Sequence, residues 1–153
     1  MDVVIPLLAV LGLLIFFFVV FQKIKDARRK EFILNYKFPH SIKDKVKAAY
    51  PHLKDSETDQ VMKALVDYFL IIHSSKAQVV AMPSQVVDLA WHEFILFTKK
   101  YDLFCKKSFG YFLHHTPAEA MKSQDEAQVG IKRAWKIACF LSTVSPYLPK
   151  KLP

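Results

Sequence analysis

The chain has 153 residues, with 22 Lys and Arg against 14 Asp and Glu, a net charge of +8 and 52% hydrophobic residues. That length allows one membrane segment plus one domain with a single core. Only three glycines are present, which excludes a P-loop and a dinucleotide-binding glycine fingerprint, and no RNA-binding motif or dense Lys/Arg stripe interleaved with aromatics points to nucleic acid as a partner.

The first element is the most distinctive. Val3 to Phe21 is a run of nineteen uncharged residues, VVIPLLAVLGLLIFFFVVF. A helix of that length spans ~28 Å, close to the ~30 Å hydrocarbon core of a bilayer. A cleaved signal peptide would want a basic start, a shorter core and a small-residue cleavage site; here the start is Met1-Asp2 and Lys and Arg follow the apolar run. Residues 1–21 therefore read as an uncleaved transmembrane anchor. Residues 22–31 form a basic stem with Lys23, Lys25, Arg28, Arg29 and Lys30. The positive-inside rule then predicts a single-pass protein of the inner (plasma) membrane, N-terminus out and the C-terminal domain cytoplasmic. The lipid bilayer is the partner of residues 3–21, and anionic headgroups are the partner of the basic residues 23–30.

Residues 32–145 form the expected domain, and they read as helical throughout. Ser41 caps a short helix to Tyr50, ended by Pro51. Ser56 and Asp59 resemble a capping box for a helix over residues 57–73. Val61, Leu65, Tyr68 and Ile72 make one apolar stripe on it, and Met62, Val66 and Phe69 a second. Residues 74–82 connect to a central helix opened by Pro83-Ser84, with a short extended piece over residues 78–81. Val87, Trp91, Phe94, Thr98, Tyr101 and Cys105 run along that helix at spacings of three and four, with no Gly or Pro before Gly110. Tyr111 to Pro117 is a loop. Ser123 and Glu126 cap a last helix from Gln124 to about Thr143, whose stripe is Ala127, Ile131, Ala134, Ala138 and Leu141. Gly130 inside it suggests close approach to a neighbouring helix. Residues 146–153 are a Pro/Lys tail. The expected fold class is all-α: one transmembrane helix, then a small bundle of about four helices. A reducing cytoplasm predicts free thiols at Cys105 and Cys139.

Residues 83–92, PSQVVDLAWH, followed by Tyr101, Cys105, Gly110 and His114-His115, resemble the pattern of the glycine-rich domain-containing protein-like family, over roughly residues 40–145. The chain departs from that pattern at Trp91-His92-Glu93-Phe94, where a second His often stands two residues after the first, and it lacks the glycine-rich tail. The resemblance implies a helical domain and draws attention to Asp88, Trp91, His92, Cys105 and His114. It implies no reaction.

His, Cys and Asp are ligand types that zinc and similar metals use. The candidate metal ligands are His92, Cys105, His114 and His115. Asp88, four residues before His92, is placed to hydrogen-bond and orient that imidazole, and Trp91 and Tyr101 are supporting residues. An unbroken helix would separate His92 from Cys105 by ~20 Å along the axis and about 220° around it. The five residues from Gly110 to His115 reach at most ~18 Å. A site shared with His92 needs the helix to break near Phe97–Lys100, where no helix-breaking residue stands; without that break only Cys105, His114 and His115 can meet. A structural reading stands beside the metal: Trp91 in the core, Cys105 as a small apolar residue, and the two histidines closing a turn. A Cys105–His nucleophile pair is the form metal-free catalysis would take. His40, His52 and His73 read as surface residues. Two functions follow: a membrane-tethered interaction module holding a protein partner near the inner leaflet, or a metal-binding domain, zinc-type enzyme or sensor.

Overall fold

The computed structural model describes residues 4–76, 78–115 and 124–144. Among the described residues it is all-α, with six helices: α1 (Val4–Leu34), α2 (His40–Ala49), α3 (Asp55–Ser74), α4 (Gln85–Ile95), α5 (Thr98–Ser108) and α6 (Gln124–Val144). Five helices therefore follow α1, not about four. The difference lies in the central helix, which breaks at Leu96-Phe97. Phe97 leaves helical geometry with φ −80 and ψ 57. No Gly or Pro causes this. The break turns the chain so that Phe94 of α4 and Phe104 of α5 both reach the ring of Phe69, at 6.3 and 4.8 Å. A straight helix would carry one of the two away from the core.

α1 is unbroken from the apolar run into the domain. It is long and apolar enough to cross a membrane, and its residues 7–19 are exposed. Its other end is core: Ile33 is 1% exposed, and Phe32, Tyr36 and Phe38 pack against the buried cluster. Phe69 of α3 is the hub of that cluster. The rings of Phe38, Trp91, Phe94, Phe104 and Phe109 surround it at 4.8–6.3 Å. Burying each such ring contributes about 1.5–3 kcal/mol.

Smaller expectations shift for local reasons. α3 begins at Asp55, and the Lys54 N–H donates to the Glu57 carboxylate at 2.7 Å. Asp59 is freed from capping and pairs instead with Lys43 of α2 at 2.7 Å. α2 starts at His40, directly after Pro39. Residues 78–84 stay irregular. Gly130 does mark a close approach, but to the α3–α4 connection: a Cβ there would meet Ala81 at 3.0 Å. Thr98 is exposed, while the rest of the central stripe is buried. Both cysteines are free, Cys105 buried and Cys139 exposed. The Ser123–Glu126 cap and the 146–153 tail lie outside the described residues.

Two contacts fix α1 to the domain just past its apolar run. Asp26 Oδ1 lies 2.7 Å from His73 Nε2, and His73 Nδ1 lies 3.1 Å from the Ser108 carbonyl, so one imidazole ties α1, α3 and α5 together. Its side chain is 7% exposed, against the expected surface position. Gly110, at φ +87, lies under Arg29, whose guanidinium occupies the space a Cβ would need.

Candidate metal centre

α4 presents Asp88 and His92 on one face, one helical turn apart. They are neighbours but not hydrogen-bonded, with Asp88 Oδ2 and His92 Nε2 3.7 Å apart. The expected Asp88–His92 bond is replaced by another: Asp88 Oδ1 accepts from His115 Nε2 at 2.8 Å. His115 Nδ1 in turn lies 3.4 Å from His92 Nε2. Asp88, His92 and His115 offer three ligand atoms that all lie within 4.8 Å of one another. The His115 side chain is 9% exposed, Asp88 32% and His92 47%, so the group sits at the lip of the fold.

A short hydrogen-bond relay brings His115 to this place. Trp91 Nε1–H donates to Tyr101 Oη at 3.1 Å, and the Tyr101 hydroxyl donates to the Leu113 carbonyl at 2.6 Å. The relay clamps α4, α5 and the loop after α5 two residues before His115. Trp91 also packs edge-on against the His115 ring, with centroids 4.2 Å apart. Burial raises the pKa of Tyr101, which keeps the phenol as a donor. The relay exists because α4 and α5 are two helices. On one straight helix Trp91 and Tyr101 would be ~15 Å apart along the axis.

That break also undoes the reach argument made from an unbroken helix, because the 110–115 loop does return to His92. Of the four candidate ligands, the fold brings His92 and His115 together and adds Asp88 as a third donor. Cys105 is fully buried in the aromatic cluster. Burial pushes its thiol up, partly offset by bonds from the Leu113 backbone and Tyr101, so it is a poor nucleophile. His114 is exposed and its ring packs against Phe112 at 4.9 Å.

The triad borders a cavity of about 570 Å³ whose wall also includes Tyr68, Ser75, Val79, Tyr111 and Ile131. A smaller, apolar cavity of about 150 Å³ lies between α3 and α6, beside Asp67 and Trp135. Sequence reasoning allowed a His92–His115 encounter only if the central helix broke near Phe97–Lys100, and it missed the Asp26–His73 tie. No local spacing encodes either one, since the partners are 23 and 47 residues apart.

A family model described as UCP032817-like matches residues 28–153. No curated protein and no solved structure matches the chain. The family match overturns the resemblance to the glycine-rich domain-containing protein-like family: the Trp-His pattern that suggested it is made of common residue types in an order that occurs outside that family.

Proposed function

The chain belongs to the UCP032817-like family, and from the side chains gathered in the matched region we propose that it is a membrane-anchored domain that binds one divalent transition metal through Asp88, His92 and His115. The observation that carries this reading is the convergence of two imidazoles and a carboxylate within 4.8 Å. Such a donor set suits zinc or Fe(II), and three protein ligands leave coordination positions open for water or a ligand, as catalytic and sensing sites do. Asp88 and His92 come from a rigid helix, and the Trp91–Tyr101–Leu113 relay holds His115, so the site is preorganised. The apolar half of α1 supplies the anchor. The basic residues 23–30 face the inner leaflet, with the domain in the cytoplasm and the N-terminus out.

The test is metal content. Full-length protein purified without chelators should carry about one equivalent of zinc or iron by elemental analysis. Asp88→Ala, His92→Ala and His115→Ala should each lose most of it, and His114→Ala should keep it. A chain that is metal-free after reconstitution, or whose metal survives all three substitutions, defeats the reading. One observation favours the second reading, an interaction module: α6 exposes Val129, Trp135 and Phe140, the last at 66%. That reading takes precedence if the metal test fails.

A further inference from the structure

We infer, building on the metal reading, that the site takes a carboxylate-bearing amphiphile, its carboxylate on the metal and its apolar body in the adjoining cavity. Charge sets the head group. A divalent ion with one carboxylate and two neutral imidazoles has net charge +1. Among the described residues of the cavity wall, Asp88 is the only acid and there is no Lys or Arg. A monoanion neutralises such a site. A phosphate dianion would leave an uncompensated negative charge in a partly desolvated cavity, which is costly.

The cavity sets the body. Ile72, Val79, Val80, Met82, Leu113 and Ile131 give its wall an apolar majority, and its volume of about 570 Å³ accommodates a small organic ligand. Position supplies a third argument. The wall residues Ile72, Ser75 and Tyr111 belong to the end of α3 and to the loop after α5. Those same segments are tied to α1 through His73–Asp26 and Gly110–Arg29. Asp26 is five residues past Phe21, or ~7.5 Å along a helix, within the headgroup layer that flanks the hydrocarbon core. With α1 as the proposed anchor, one side of the cavity stands beside the headgroup layer, from which an amphiphile would enter.

Full-length protein in phosphatidylcholine nanodiscs, loaded with Co²⁺, provides the test through the visible bands of the metal. Octanoate should shift those bands with an apparent Kd at least tenfold below those of acetate and inorganic phosphate, and octanol should leave them unchanged. Ile131→Trp, which fills the cavity without touching a ligand, should weaken octanoate at least tenfold and leave acetate unaltered. Ala127→Leu serves the same purpose if that variant fails to fold. Co²⁺ bands that ignore octanoate, or that respond more strongly to phosphate, overturn this proposal alone. Absence of Co²⁺ bands that depend on Asp88 overturns the metal reading, and this proposal with it.

Discussion

At Asp67 the carboxyl is pushed up to about 6, because burial penalises its charge. It borders the apolar cavity between α3 and α6, and no hydrogen-bond partner is found for it among the described residues. Its folded pKa lies above the unfolded value, so the folded state holds the proton more tightly. Its contribution to stability should be full below about pH 4, fall as pH rises to about 6, and be flat beyond. Discounted for partial exposure, the effect is about 1 kcal/mol. Asp67→Asn should therefore stabilise the protein by about that amount at pH 7.5 and flatten the slope between pH 4 and 6, as read by chemical denaturation at each pH. At Tyr101 the sign is opposite. Tyr101→Phe removes the partner of both the Trp91 N–H and the Leu113 carbonyl. It should cost about 2–3 kcal/mol, the penalty of two polar groups left unpaired. Because the relay holds the His115 loop, the same substitution should weaken metal binding by about tenfold. A variant that loses stability but keeps full metal affinity would show that the loop is positioned by something else.

Among the elements, α1 differs most from its expected role. The basic stem is a continuation of the helix, clipped to α3 and α5 by Asp26–His73 and by Arg29 over Gly110. A fragment spanning residues 22–153 should therefore be more stable than one spanning 32–153, by about 1–3 kcal/mol for a part-buried charge-assisted bond and its neighbouring packing. Equal denaturation midpoints for the two fragments would reduce the clip to a surface contact. The helices themselves were legible. Val87, Trp91, Phe94, Tyr101 and Cys105 recur at helical spacing and are buried together, and Asp88 and His92 share a face because four residues make about one turn. The break at Leu96-Phe97 was not legible. It has no Gly, Pro or capping sequence, and it follows from the need to bring Phe94 and Phe104 onto the same ring of α3. From that one unseen bend follow both the helix count and the site, since His115 reaches His92 only because α5 folds back. As candidate donors, His92 and His115 were legible by residue type. The role of Asp88 was not, because which donor a carboxylate meets depends on a loop 27 residues away.

For the molecule as a whole, the charge pattern bears most directly on the proposed orientation. Five basic residues follow the apolar run, against the α-amino group and Asp2 before it. A reporter active only outside the cytoplasm, fused after Pro153, should be silent, and a reporter active only inside should work. Reversed activities would place the Asp88–His92–His115 group on the other face of the membrane. The +8 charge of the chain fits the proposed placement beside an inner leaflet of anionic lipids. The unbroken course of α1 adds a mechanical consequence. From Phe21 to Ile33 is ~18 Å of helix with no hinge, and Ile33 is locked in the core. The domain is then mounted on a stiff mast, not hung on a tether. Transmembrane helices change tilt to match bilayer thickness, by tens of degrees. With α1 as the proposed anchor, a thicker or thinner membrane would swing the entire domain, and with it the mouth of the cavity, toward or away from the lipid surface.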